Sequence, residues 1–203
     1  IAFWADGVQM PFNMQAVAGL CQLELFAATG QQRYRDRAAE LAIFFRRQWI
    51  PSEDKRALWH YSTDKFRAGW TASDKLSVNT PEYAPRTAML YDDVSHAGLS
   101  IRFVMTYLEV VGDTVFDTDL AMLQRTASAL RHGELYSRFM GGDITYQPPS
   151  RRFIPRFGWA KVADAAYLED VSQGLPMDFP AFEGDRALTY VSAFLASQRT
   201  GHD

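Results

Sequence analysis

The stretch AVAGLCQLELFAA, residues Ala16 to Ala28, decides the fold class, because Glu24 is its one charged residue. A helix that is apolar on nearly every side must be enclosed by other parts of the protein. Thr29-Gly30 follows as a stop signal, and Asn13 is the predicted N-cap. The sequence therefore predicts a buried helix here, with the lone Cys21 inside it.

The segment that follows this turn has apolar residues along a single helical stripe. Charged residues occupy the opposite face, which is typical of a half-exposed helix. Pro51 is the predicted end of this segment. The stripe consists of Tyr34, Ala38, Leu41, Ala42, Phe45 and Trp49.

The same pairing of an apolar helix with a striped helix recurs further along the chain. Ala97 to Val111 contains two charged residues, Arg102 and Glu109, and a striped segment follows it. A weaker third pair covers residues 159–171 and 186–198. Repeated pairs predict an all-α fold in which antiparallel helical hairpins stack as one domain over residues 1–203. The second striped segment carries Leu120, Leu123, Ala127 and Leu130.

The connections between these hairpins are long and unequal, roughly residues 51–92 and 133–158. A helical solenoid keeps a tighter period, so the pattern favours a closed ring of hairpins. Ala57 to Ser62 alternates large and small side chains and predicts a short strand. The first connection is rich in Tyr and Trp, which predicts an ordered wall over one end of the helices.

Composition excludes several classes of protein. The 203 residues carry a net charge of -3, without the basic excess expected of a nucleic-acid-binding protein. No apolar run reaches the ~18 residues needed for a membrane-spanning helix. Motifs for phosphate, nucleotide or zinc binding are absent, so no cofactor is expected. His60, His96 and Asp93 lack a helical metal-ligand spacing, so no metal site is predicted.

Several short runs resemble the hairpins of (α/α) toroid carbohydrate-active proteins. The resemblance is to six-hairpin glycosidase-like proteins, which include polysaccharide lyases and uronate epimerases. It covers about residues 10–112. A complete toroid has more hairpins than the three predicted here, so we expect this chain to be the later part of a longer toroid. The runs are PFNMQ (11–15), GL (19–20), TG (29–30), YRDRA (34–38), WHY (59–61) and DDVSHA (92–97).

The resemblance implies a site where the inner helices and their preceding loops open at one end of the ring. Asn13 and His96 both fall at the N-terminal edge of a predicted inner helix. Helix N-termini carry positive partial charge suited to sugar carboxylates. The expected partner is therefore a polysaccharide or oligosaccharide, processed by uronate lyase or C5-epimerase chemistry.

His96 is the first catalytic candidate, because a general base oriented by Asp93 would suit this chemistry. The alternative is that Asp93 only caps the helix and His96 lies in its first turn. Asn13 would neutralise the uronate carboxylate before C5 is deprotonated, unless it serves only as an N-cap.

Aromatic and basic residues complete the predicted site. Tyr61 and Tyr91 are candidates for the proton-transferring phenol, with stacking on sugar as the alternative. Trp59 and Trp70 are candidate sugar platforms, with core packing as the alternative. Arg86 is predicted to bind an acidic sugar, together with further connection arginines at Arg151, Arg152 and Arg156, with a solvated loop as the alternative.

Two other functions fit the same sequence. A glycoside hydrolase needs two carboxyl groups. Asp92, which is predicted to bind substrate, or Asp93 would provide one of them. The other would come from Glu82, Asp64 or Asp143. A glycan-binding module or helical-repeat scaffold needs no catalytic group at all. Convergence of Asn13, Trp59, Tyr61 and His96 in one place would favour an enzyme.

Overall fold

The computed structural model describes residues 10–84, 91–112, 115–116, 119–133, 135–142, 148–150 and 157–162. Its described part is 56% helical with few strands, which fits the predicted all-α class. The longer helices are α1 (Phe12–Thr29), α2 (Gln32–Arg46), α3 (Asp64–Ala68), α4 (Val94–Val111) and α5 (Leu120–Ala129). Short 3-10 turns cover Ala72–Asp74 and Phe157–Lys161.

Helix α1 begins two residues earlier than its sequence signals suggest. Pro11 occupies the N-cap position, so Asn13 lies inside the first turn and the predicted Asn13 cap is wrong. A proline fits there because its fixed φ is compatible and its missing N–H is not needed. The predicted stop is confirmed, since Gly30 has a φ of 66° and its N–H donates to the Phe26 carbonyl oxygen.

Helix α1 packs against both α2 and α4. Gly19 makes the second contact possible, because a Cβ there would lie 2.4 Å from the Phe103 ring. The opposite face of α1 is exposed, at 46% for Met14 and 41% for Leu25, and Cys21 is exposed as well. The expectation that α1 is enclosed on most sides is therefore wrong for the described part of the chain.

Helix α2 forms the predicted hairpin with α1. Ala38, Ala42 and Phe45 are buried along its apolar stripe. The helix ends at Arg46, and Trp49 packs into the core from the connection that follows.

Helix α4 is the more enclosed of the two apolar helices. It ends at Val111, and Gly112 follows as the C-cap with a φ of 64°, which suits glycine. Its buried residues extend around much of the helix, since α1 and the Phe157–Lys161 turn both pack on it. They are Val94, Ala97, Gly98, Ser100, Ile101, Phe103, Val104 and Tyr107.

Two short β-hairpins lie in the connections. Strand β1 (Ile50–Pro51) pairs antiparallel with β2 (Ala57–Leu58), where a short strand is predicted. Strand β3 (Arg131–His132) pairs with β4 (Leu135–Tyr136), which the sequence analysis does not anticipate. Isolated bridges also join His60 to Tyr91, Trp70 to Tyr83 and Asp93 to Phe139.

The aromatic core fills the space between the helices and β2. The Trp59 ring stacks on Trp49 at 5.6 Å between centroids and meets Phe45 edge-on at 5.0 Å. Phe12 and Phe116 extend this cluster toward α1 and α5. The first connection is thus an ordered part of the core.

The second helix of the weaker third pair lies outside the described residues, as does most of the first. Within the described ranges, no helix combines the length and hydropathy needed to cross a bilayer.

Candidate functional site

The candidate site forms where the first connection meets the start of α4. The Asp92 N–H donates to the Trp59 carbonyl oxygen at 2.9 Å, and His60 bridges to Tyr91. This pairing places the Tyr61 ring against the His96 imidazole, with 4.8 Å between centroids. Two residues separated by 35 positions, both predicted to be catalytic, are therefore in contact.

The start of α1 reaches the same place. The Phe12 N–H donates to the Tyr61 carbonyl oxygen at 3.2 Å. The N-terminal ends of α1 and α4 therefore both lie next to the Tyr61 segment. The two predicted inner helices thus begin at a common site.

Asp93 performs two roles at the start of α4. Its Oδ1 caps the helix, because it accepts the Ser95 and His96 N–H groups at 3.0 and 3.2 Å. Its Oδ2 lies 2.5 Å from His96 Nδ1. Burial raises the pKa of Asp93, but hydrogen bonds from Ser95 and His96 outweigh it and hold this pKa below its usual value. One carboxylate therefore both caps α4 and hydrogen-bonds the His96 imidazole.

Tyr61 is the phenol that lies next to this pair. Burial raises its pKa, and the negative charges of Asp92 and Asp93 raise it further. A raised pKa keeps the phenol protonated near neutral pH. Tyr61 therefore carries its proton at neutral pH.

Tyr91 has different neighbours. Its ring stacks on His60 at 5.4 Å with an angle of 7° between the planes. Gly141 packs closely against this ring, because a Cβ there would lie 2.4 Å from it. Of the two candidate phenols, Tyr61 is the one whose ring meets His96.

Asp92 lies beneath this surface and is fully buried. Its Oδ2 accepts the Trp59 Nε1 proton at 3.0 Å, and its Oδ1 has no hydrogen-bond partner. Burial and the neighbouring charge of Asp93 raise its pKa well above the usual value. Direct substrate binding by Asp92 is therefore incompatible with its place in this structure.

The two candidate tryptophan platforms are core residues. Trp59 is fully buried in the aromatic cluster. Trp70 is 4% exposed, packs against Tyr83 at 4.8 Å, and donates from Nε1 to the Thr80 carbonyl oxygen. Neither ring presents a face to a sugar, so the core-packing alternative is the correct one. In the sequence, a tryptophan is compatible with both sugar stacking and core packing. Only its burial in the structure distinguishes the two roles.

Asn13 is 6% exposed, and its Oδ1 has no hydrogen-bond partner. Because Asn13 does not cap α1, its side-chain oxygen is not committed to the backbone. Two hydroxyls next to Tyr61 share this property, Ser62 Oγ and Thr63 Oγ1. Buried polar atoms without partners indicate a place where water or a polar ligand binds. The sequence analysis missed Ser62 and Thr63, although both hydroxyls directly follow the WHY run.

The remaining candidates divide into two groups. Arg86, Arg151, Arg152, Arg156 and Asp143 lie outside the described residues. Asp64 pairs with Arg67 on α3. The carboxylate pairs weighed for a hydrolase therefore include a buried Asp92 and an Asp64 that is already in an ion pair.

The Asp92–Asp93–His96 cluster also brings three potential metal ligands together. One ligand atom from each residue lies within 4.8 Å of the others. Burial decreases from Asp92 at the bottom to His96 at the surface, whose side chain is 42% exposed.

Comparison with known proteins adds no relative to this picture. The chain matches no protein-family model, no curated protein and no solved structure.

Proposed function

We propose that this chain is a carbohydrate-active protein that moves a proton at C5 of a uronate residue in an acidic polysaccharide, as a lyase or a C5-epimerase. The observation that supports this most is the His96–Asp93 pair in contact with Tyr61. A base, a carboxylate that orients it and a protonated phenol are the groups that this chemistry needs.

His96 is the base in this proposal. Asp93 accepts a hydrogen bond from Nδ1–H, which favours the tautomer whose Nε2 lone pair is free. The exposed His96 side chain lets Nε2 reach a sugar. It takes the C5 proton, and the carboxylate of the uronate delocalises the electron pair left behind.

Tyr61 is the acid in this proposal. In the lyase reaction, the electron pair at C5 forms the C4–C5 double bond while the C4–O4 bond breaks. The phenol proton goes to O4, so the leaving chain departs as a neutral alcohol. In the epimerase reaction, the same phenol returns a proton to the opposite face of C5, and no bond of the chain breaks.

Asn13 is the group that binds the substrate carboxylate in this proposal. A uronate is deprotonated at C5 only when hydrogen bonds or positive charge neutralise its carboxylate. Asn13 lies in the first turn of α1 and directly follows Phe12, whose N–H donates to the Tyr61 carbonyl oxygen. Arg86 remains a predicted second contact to the acidic sugar.

The test is incubation of the chain with a panel of uronate polymers in deuterated water. Ultraviolet absorbance reports the unsaturated lyase product, and NMR reports deuterium at C5. We expect one of these signals, with a loss of about 10²-fold or more in His96→Gln. His132→Gln is the matched control, because His132 pairs with Ser137 in a different part of the fold. No product and no exchange with any polymer would refute the proposal, as would undiminished activity in His96→Gln.

A further inference from the structure

The cluster of Asp92, Asp93 and His96 has the composition of a metal site. Two carboxylates and an imidazole each place a ligand atom within 4.8 Å of the others. Atoms bound to one transition-metal ion at about 2.0–2.2 Å lie roughly 3 Å apart. Small side-chain rotations therefore bring this cluster to coordination distance.

Asp92 supplies a second and separate observation. Its side chain is fully buried, and its Oδ1 has no hydrogen-bond partner. The groups that act on its charge are the Asp93 carboxylate, the Asp93 backbone and the neutral Trp59, so none of them is a cation among the described residues. A buried carboxylate beside another carboxylate is unfavourable unless it takes up a proton or a metal ion.

We propose that Asp92, Asp93 and His96 bind one divalent transition-metal ion of the Zn²⁺ or Mn²⁺ class. An imidazole in the ligand set favours Zn²⁺ over Ca²⁺ and Mg²⁺, which prefer oxygen ligands alone, and the two carboxylates suit Mn²⁺. The ion replaces the proton between His96 Nδ1 and Asp93 Oδ2, and these two atoms move apart from 2.5 Å to about 3 Å. The ring proton moves from Nδ1 to Nε2, so the imidazole stays neutral.

The geometry also provides access and support for the ion. His96 is partly exposed, so an ion can enter from the surface while Asp92 binds it from below. The Trp59 Nε1 proton orients the Asp92 carboxylate from the side of the core, as second-shell hydrogen bonds do in metal sites. Coordination through His96 Nδ1 leaves the ring proton on Nε2. The ion-bound form therefore excludes the form in which His96 acts as the base, and the ion site does not depend on the proposed sugar chemistry.

The test is a titration of the EDTA-treated chain with Mn²⁺, followed by the electron paramagnetic resonance signal of free Mn²⁺. We expect one bound ion per chain and nitrogen coupling from an imidazole. The affinity should fall at least tenfold in Asp92→Asn and in His96→Gln. Asp74→Asn is the control, because Asp74 pairs with Lys65 away from the cluster, and it should bind as the unaltered chain does. Competition with Zn²⁺, but not with Ca²⁺, should release the Mn²⁺.

The proposal is overturned if the unaltered chain leaves Mn²⁺ and Zn²⁺ free, or if both variants bind as tightly as it does. Circular dichroism checks folding, and His96→Gln decides alone if Asp92→Asn does not fold, because His96 lies at the surface. A chain that binds Mn²⁺ but shows no C5 exchange in its EDTA-treated, metal-free form would refute the sugar chemistry and leave the ion site standing. The reverse result would refute only the ion site.

Discussion

His96 Nδ1 lies 2.5 Å from Asp93 Oδ2, while Oδ1 of the same carboxylate caps the helix on which His96 stands. One side chain therefore both begins α4 and orients the imidazole in its first turn. Any substitution of Asp93 changes stability and chemistry together, unless the replacement keeps one role and removes the other.

Asp93→Ser separates these two roles. Serine caps a helix well, so we expect the melting temperature to change little, whereas Asp93→Ala should lose about 1 kcal/mol of unfolding free energy. Both variants lack the carboxylate that orients His96, so both should lose C5 exchange to a similar extent. Thermal melts and deuterium exchange on the same samples test this. Retained exchange in Asp93→Ser would show that the carboxylate does not orient a base.

The contact of Gly19 with Phe103 predicts an overpacking effect. Gly19→Ala places a methyl group 2.4 Å from the Phe103 ring and should cost about 1–3 kcal/mol, although alanine favours helices. Phe103→Leu shortens the opposing side chain, so the double variant should cost less than the sum of the single variants. Denaturant unfolding of the four proteins measures the coupling. Additive costs would mean that α1 and α4 are not in close contact at Gly19.

Arg46, at the end of α2, donates two hydrogen bonds to the carboxylate of Asp119, at the start of α5. Asp119 is buried, so Arg46→Leu leaves a carboxylate without its partner and should cost about 3–5 kcal/mol. Arg47→Leu is the matched control, because Arg47 is exposed and should change stability by less than about 0.5 kcal/mol. Equal costs in the two variants would exclude a stabilising role for the Arg46–Asp119 pair.

Asp74 predicts a pH dependence of stability. A hydrogen bond from Lys65, followed by one from the Thr71 N–H, lowers the pKa of Asp74 from 3.8 to about 2. A lowered pKa stabilises the fold above pH 3.8, and this stabilisation is lost as the pH falls toward 2. Asp74→Asn should therefore lose less stability than the unaltered chain over this range. Added salt should reduce the difference, because both side chains are partly exposed. Parallel acid-unfolding curves for the two proteins would contradict the lowered pKa.

The sequence predicts where the helices of this fold lie better than it predicts what packs around them. Helical spacing in Ala16–Ala28 and Ala97–Val111 correctly indicates two apolar helices, because the period of a helix is a local property. The same spacing does not show what covers each side of a helix, so it does not predict the exposed face of α1. The cap of α1 was assigned to the wrong residue, since Asn13 and Pro11 both fit a helix start and backbone geometry alone distinguishes them.

The same distinction between local pattern and tertiary contact applies to the candidate site. The sequence by itself determined that an acid, a histidine and the N-terminus of an apolar helix occur together, because Asp93 and His96 are three residues apart and a cap acts within one turn. Only the tertiary structure decided that Tyr61 meets His96, that Trp59 and Asp92 lie in the core, and that Trp70 is not a platform. Those outcomes depend on contacts between residues distant in the chain. Burial and charge act through space, so they exist only after the chain has folded.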